Sequence, residues 1–124
     1  MIEVGVVFYR AGQPIHLHRP QGSSGAALPD SPDLWDVLWA NRENLGGFAH
    51  SHPGDGVPGP SWTDITTFDA IERALGRKLI WWIISKDSQA LGQKLEGEYV
   101  FHEVRTRPVW LDELRRLSYE KDGV

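Results

Sequence analysis

Two histidines and an aspartate in the middle of the chain have the types and spacing to hold a metal ion. His50 and His52 form a His-x-His pair, and Ser61 and Asp64 follow as Ser-x-x-Asp. If residues 48–52 form a strand, side chains two apart point to the same face, so both imidazoles aim at one point. If Ser61 begins a helix, Asp64 lies in its first turn. Two neutral imidazoles and one carboxylate, with a fourth position left to water, match a catalytic zinc site.

The order of these residues resembles the JAMM motif of the MPN-domain (JAB) zinc metalloproteases, in their small stand-alone prokaryotic form. The motif comprises His-Ser-His-Pro at 50–53, a proline-rich loop, and Ser61-x-x-Asp64. The resemblance implies that His50, His52 and Asp64 bind zinc. It also implies that Ser61 helps to hold the reacting carbonyl and that an upstream glutamate activates the water. The implied activity is hydrolysis of peptide or isopeptide bonds, with the C-terminal tail of a ubiquitin-like protein as the substrate.

Each of these residues taken singly has an ordinary explanation. His50 and His52 would be strand histidines, Asp64 an acid at a helix start and Ser61 a plain N-cap. The metal interpretation therefore depends on all four occurring together and in order.

Glu3 is the expected general base. Residues 2–9 are apolar at nearly every position apart from Glu3, which predicts a central strand covered on both faces. A carboxylate in such a strand costs free energy unless it has a partner. In the family that the motif resembles, the catalytic glutamate sits just before such a strand. The alternative is an exposed terminal residue without a role, and Glu43 and Glu72, both in predicted helices, are the fallback candidates.

A second His-x-His pair, His16 and His18, lies on the predicted strand over residues 14–19. A turn at Ala11-Gly12 pairs this strand back as a hairpin. No Ser-x-x-Asp follows this pair. Solvated histidines on one face of an edge strand are the preferred explanation.

The first predicted helix begins with Ser31 as its cap and ends at Gly46. Residues 20–29 before it are rich in Gly, Ser and Ala and predict a flexible loop. The helix is expected to face the core with an apolar stripe, which consists of Leu34, Trp35, Leu38, Trp39 and Leu45.

Two further helices are predicted, from Ser61 and from Pro108. On the first of them, Trp62 either lines a substrate groove or packs against the first turn. On the second, Arg115 and Arg116 are expected on the solvated side.

Three strands are predicted in the second half of the chain. The continuous apolar run over 78–85 predicts a strand buried on both faces. Residues 88–94 and 98–105 predict a hairpin, with His102 in a structural position. The whole order predicts a single domain over 1–124 of the α/β class, a central mixed β-sheet flanked by helices. The resemblance implies that this is the deaminase-like MPN (JAB) fold.

Composition excludes several classes of function. The chain has no cysteine, which rules out a cysteine-protease mechanism, a zinc ribbon and the cytidine-deaminase signature. The net charge of -4 gives no basic surface for nucleic acid. No apolar run approaches the length of a membrane span, and no signal peptide is present, so we expect a cytoplasmic protein without a membrane partner.

Two other functions fit the same residues. One is a non-catalytic MPN scaffold or binding module, although all the metal ligands are present here. The other is a metal-dependent amidohydrolase that acts on a small non-protein substrate.

Overall fold

The computed structural model describes residues 1–19 and 32–120, and within them the chain forms six strands and three helices. The expected loop over residues 20–29 and the expected cap Ser31 lie outside the described residues. The elements are β1 Gly5–Tyr9, β2 Pro14–His18, α1 Pro32–Ala40, β3 Leu45–Ser51, α2 Trp62–Leu75, β4 Ile80–Ile84, β5 Gln89–Leu95, β6 Glu98–Glu103 and α3 Leu111–Tyr119.

The strands form one mixed sheet in the order β2-β1-β3-β4-β5-β6. Strands β3 and β4 are parallel, and α2 is the crossover between them. The other neighbouring pairs are antiparallel. The expectation of an α/β fold with a central mixed sheet and flanking helices is confirmed. Strands β1 and β4 lie inside the sheet and are mostly buried, as their two-sided apolar patterns predict.

The two faces of the sheet carry separate apolar cores because side chains alternate along each strand. One core packs α3 against the sheet and contains Val6, Phe8, Ala49, Trp82, Ile84, Trp110, Leu111 and Leu114. The other packs α1 and α2 against the opposite face and contains Val7, Leu34, Leu38, Leu45, Phe48, Phe68, Leu79 and Trp81. The histidine pair of β3 belongs to this second face, since His50 is two residues from Phe48.

The predicted stripe of the first helix is only partly right. The helix ends at Ala40, and Leu45 already belongs to β3. Trp35 and Trp39 are exposed rather than in the core. Each directly follows a buried leucine, so the 100° step of the helix turns it away from the sheet. The two rings stack on each other with centroids 6.1 Å apart, which shields part of their surface.

The expectation for the basic pair of the last helix is half wrong. Arg116 is exposed, but Arg115 binds the turn between β4 and β5. Its guanidinium donates to the carbonyl oxygens of Ser85 at 3.1 Å and Ser88 at 2.9 Å, and to Gln89 Oε1 at 2.8 Å. Arg115 therefore fixes the turn that follows β4, at the end of the sheet where β3 also ends. None of the helices in the described part of the chain is long and apolar enough to cross a membrane.

Candidate metal centre

Strand β3 brings the two histidines to one end of the sheet. His50 lies between Gly5 of β1 and Ile83 of β4, so its backbone is held on both sides. His52 follows directly after the strand, and its N–H donates to the carbonyl oxygen of Ile84 at 2.8 Å. The hydroxyl of Tyr119 also donates to the His52 carbonyl oxygen. Both histidines are thus fixed by backbone contacts that do not use their rings.

Helix α2 supplies the carboxylate through a capping box at its first turn. Ser61 is the N-cap, and its Oγ accepts a hydrogen bond from the Asp64 N–H at 3.0 Å. The Ser61 N–H donates in return to Asp64 Oδ2 at 2.9 Å. This reciprocal pair is the expected arrangement at a helix start, and it fixes the direction of the Asp64 side chain.

The three side chains converge on one point. The two Nε2 atoms of His50 and His52 lie 2.9 Å apart. His50 Nε2 lies 3.4 Å from Asp64 Oδ1, and His52 Nε2 lies 3.0 Å from Asp64 Oδ2. With Zn–N bonds of about 2.0–2.1 Å, the ligand atoms of a tetrahedral zinc ion are about 3.3 Å apart. Among the described residues, this trio is the one group of three His, Asp or Glu side chains close enough to share an ion.

Hydrogen bonding alone does not satisfy this trio. A neutral imidazole with its proton on Nε2 can direct that proton to one acceptor only. If both rings donate to Asp64, two N–H groups face each other across 2.9 Å. If one ring donates to the other, the accepting Nε2 carries no proton, and Asp64 receives a hydrogen bond from neither ring. A divalent cation would accept lone pairs from all three at once, so the donor set fits zinc.

The electrostatic state of the trio also suits a metal ion, which needs neutral imidazoles and an ionised carboxylate. Burial lowers the pKa of His50, and the nearby Asp64 opposes that shift only in part. Burial raises the pKa of Asp64, but the hydrogen bonds to His50, His52 and the Ser61 N–H outweigh it and hold that pKa well below its usual range. At neutral pH the ring of His50 is therefore neutral and Asp64 carries its charge.

Aromatic rings fix the orientation of the His50 side chain. The Phe48 ring stacks beside it with centroids 6.1 Å apart, and the Phe68 ring meets it edge-on at 6.0 Å. His50 itself is 2 % exposed. Because its rotamer is held by packing, the Nε2 atom is directed at Asp64 before any ligand arrives.

Glu3 is fully buried, at 0 % exposure, so the alternative of an exposed terminal residue is wrong. Strands β1 and β3 pair Gly5 with His50, and the Ser51 N–H donates to the Val4 carbonyl oxygen at 3.0 Å. Continuing this register by two residues brings Glu3 beside His52, on the face of the sheet that bears both histidines. Its role as a base stays a prediction.

The segment that carries Glu3 is anchored by two serines that the sequence analysis did not single out. Ser51 Oγ accepts from the Val4 N–H at 2.9 Å. Ser118 Oγ donates to Ser51 Oγ at 2.7 Å, and the Ile2 N–H donates to the Ser118 carbonyl oxygen at 3.0 Å. Helix α3 thereby ties the first residues of the chain to the end of β3. Ser118 continues the apolar stripe of α3, and a polar residue on such a stripe is the signal that could have revealed it.

The second histidine pair differs from its expectation. His18 is buried rather than solvated, because it pairs with Gly5 and so faces the side of the sheet that α1 and α2 cover. Burial lowers the pKa of His18, and the nearby His16 lowers it further. Asp33 opposes these shifts in part, the two rings are 6.2 Å apart, and the described residues form no group of three donors around them.

The two fallback glutamates have other places in the fold. Glu72 is buried, and its Oε2 accepts from the Leu79 N–H at 2.7 Å and from Trp81 Nε1 at 3.0 Å. The Tyr99 hydroxyl donates to its other oxygen. These bonds tie α2 to the sheet, which is a structural role. Glu43 lies in an exposed turn after α1 rather than in a helix.

Trp62 does not pack against the first turn of α2, since 81 % of its surface is exposed. The loop before it is fixed to the turn after β4. The Gly56 N–H donates to Asp87 Oδ1 at 2.8 Å, and Ser85 Oγ donates to the Gly56 carbonyl oxygen at 2.6 Å. The indole stands in solvent beside Ser61, and its role in a substrate groove stays a prediction.

The sequence matches no protein-family model, and no curated protein matches it significantly.

Proposed function

We propose that this protein is a zinc-dependent metalloprotease or isopeptidase of the JAMM type, acting on the tail of a ubiquitin-like protein. The observation that carries the proposal is the convergence of His50 Nε2, His52 Nε2 and the Asp64 carboxylate within 3.4 Å of their neighbours. Further support comes from the JAMM-like order of residues and from a mixed sheet whose parallel strands are joined by α2, the helix that carries Asp64. The finer assignment to the deaminase-like MPN (JAB) fold is part of the proposal.

His50, His52 and Asp64 would hold the zinc ion. Zinc in such a site supplies Lewis-acid chemistry and makes water a better nucleophile near neutral pH. The protein's own contribution is to keep the His50 ring neutral and Asp64 charged, because burial lowers the pKa of His50 and the hydrogen bonds to Asp64 lower the pKa of that carboxyl. A fixed donor geometry spares the reorganisation that a mobile site would need.

Glu3 would take a proton from the attacking water and pass it to the leaving amine nitrogen. A buried carboxylate that the strand register brings beside His52 is suited to this work, because a general base must lie within reach of the proton that it takes. Positioned acid–base groups contribute about 10²–10⁴-fold to rate.

Ser61 would donate a hydrogen bond to the oxygen of the reacting carbonyl. Its Oγ is an acceptor for the Asp64 N–H, so its own O–H proton is left for a ligand. The cap therefore orients the hydroxyl without using the proton that the reaction needs.

The decisive experiment compares wild type with Glu3→Gln and with a matched control, Glu43→Gln in the exposed turn. Bound zinc is measured by elemental analysis, and cleavage is measured on ubiquitin-like fusions and on small amide substrates. We expect about one zinc per chain in all three proteins and a loss of cleavage of about 10²–10⁴-fold in Glu3→Gln alone. Wild type without zinc would instead support a scaffold, and cleavage of small amides only would support an amidohydrolase.

A further inference from the structure

A cavity of about 570 Å³ opens between α1 and α2 and reaches two of the three donor residues of the metal centre. His50 and Asp64 form part of its wall. The remaining walls come from both helices and from the sheet beneath, including Trp35, Leu38 and Ile71. A pocket of about 300–1,000 Å³ with mainly apolar walls and a few polar groups is the usual form of a site for a small ligand or a side chain.

The charged and apolar parts of this cavity are separated. Among its described lining residues, His50 and Asp64 are the ones that ionise. The hydroxyl residues Thr63 and Thr67 lie on the α2 side, and the rest of the wall is apolar. A ligand that fills this cavity would therefore place apolar atoms between the helices and its polar atoms next to His50 and Asp64.

The rim of the cavity on α1 is held in place. The Trp35 ring lines the cavity and stacks on Trp39, with ring centroids 6.1 Å apart. The Arg42 guanidinium lies over the Trp39 ring at 4.2 Å. A wall fixed in this way loses little entropy when a ligand binds, which favours affinity.

A second cavity, of about 310 Å³, makes a useful contrast. It lies between the loop before α2 and the last two strands, lined by Val57, Pro60, Tyr99 and His102 among others. None of the trio lines it. The larger cavity is the one whose wall includes His50 and Asp64.

We propose that the cavity between α1 and α2 is a specificity subsite, which receives a bulky apolar side chain of the substrate close to the bond that is hydrolysed. This inference rests on the proposed hydrolase function. We expect the bound side chain to be aliphatic or aromatic. A charged side chain would lose its hydrogen bonds to water, and the apolar wall offers no partners to replace them. Burying such a side chain is worth about 1.5–3 kcal/mol, so the preference over glycine is about 10- to 150-fold.

The test uses a variant that fills the cavity and a matched control. Ala70 lines the cavity from an exposed position on α2, and Ala74 is exposed one turn later without lining it. Ala70→Trp and Ala74→Trp therefore add the same side chain to the same helix. Each protein is loaded with zinc and given two libraries, linear peptides and peptides joined through lysine Nζ, randomised around the cleaved bond.

Wild type and Ala74→Trp are expected to prefer leucine or phenylalanine over glycine near the cleaved bond by at least tenfold in kcat/KM. Ala70→Trp is expected to lose that preference while it keeps its zinc. Cleavage without a preference, or a preference that Ala70→Trp retains, would overturn the subsite and leave the hydrolase intact. Absence of cleavage with every substrate class, including ubiquitin-like fusions, would contradict both the proposed function and the subsite.

A binding measurement separates these outcomes when short peptides are not cleaved. N-acetyl-leucinamide, titrated into the zinc-loaded protein, should shift the methyl NMR signals of Ile71 and Thr67. N-acetyl-glycinamide should not, and neither compound should do so in Ala70→Trp. No shift with the leucine compound at millimolar concentration contradicts the subsite directly.

Discussion

The two His-x-His pairs of this protein lie on the same face of one sheet and have different surroundings. Gly5 pairs with His18 on one side and with His50 on the other, so the three residues form a row across the sheet. The first pair, which begins on β3, forms a group of three donors with a carboxylate within 3.4 Å, and the pair on β2 belongs to no such group in the described part of the chain.

The difference shows that the spacing of the histidines does not create the site. The loop after β3 leads into α2, and the capping box directs Asp64 back at the histidines. Strand β2 is at the edge of the sheet, and although Asp33 in the first turn of α1 acts on the charge of His18, the described residues form no group of three donors around His16 and His18. A third donor from another element turns a strand pattern into a metal centre.

The largest expected effect comes from removing one ring of each pair. His52→Ala should weaken zinc binding by more than the roughly 10–100-fold that loss of a ligand's supporting partner costs, because it removes a ligand itself. His16→Ala should leave the affinity unchanged. Competition with a chromogenic zinc chelator measures both variants.

Circular dichroism provides the control that both variants fold. Equal zinc affinity in His52→Ala and wild type would show that His52 is not a zinc ligand. A loss of zinc in His16→Ala would show that the second pair takes part in zinc binding.

The sequence predicted this contrast in its main features. His50, His52, Ser61 and Asp64 were identified from type and spacing, and the apolar runs of β1 and β4 predicted strands buried on both faces. Each of these patterns lies within a short stretch of the chain, so it can be recognised from the sequence alone.

Contacts between distant segments escaped prediction. The burial of His18 depends on which face of β2 meets the helices, and one strand alone does not determine this. Ser51 and Ser118 are 67 positions apart, and their hydrogen bond becomes visible only when α3 packs on the sheet. The outward direction of Trp35 likewise depends on which face of α1 packs against the sheet.

The capping serine allows a second test, which separates structure from chemistry in the β3 site. Ser61→Gly should cost only a few tenths of a kcal/mol in stability, since glycine is an acceptable N-cap. Without the hydroxyl, the cleavage rate should fall about 100-fold, as when other donors to a developing oxyanion are removed. Thermal unfolding and kcat are measured on the same zinc-loaded sample.

An unchanged rate in Ser61→Gly would limit Ser61 to capping. A rate loss matched by loss of zinc would mean instead that the serine acts only by holding Asp64.

The support behind β3 provides a third test. Ser51→Ala removes the acceptor of the buried Val4 N–H, and an unpaired buried donor costs about 1–3 kcal/mol of unfolding free energy. Because the same segment carries Glu3, cleavage should fall while zinc binding is kept. Urea denaturation and zinc titration measure the two effects. A stable variant with full activity would show that Ser51 does not position Glu3.

The smallest expected effect is a dependence of stability on pH, to which one histidine of each pair should contribute. Burial lowers the pKa of both His18 and His50 below the ordinary value of 6.5, so the unfolded chain binds protons that the folded chain does not. Stability of the metal-free protein should therefore fall as the pH drops through 6.5 towards 5. Urea midpoints at several pH values measure this slope, and His18→Gln and His50→Gln should each flatten it. With zinc added, the proton competes with the ion at His50, so the slope should steepen in His18→Gln and stay the same as without zinc in His50→Gln. A steeper slope on adding zinc to His50→Gln would assign metal binding to the second pair and end the contrast between the two strands.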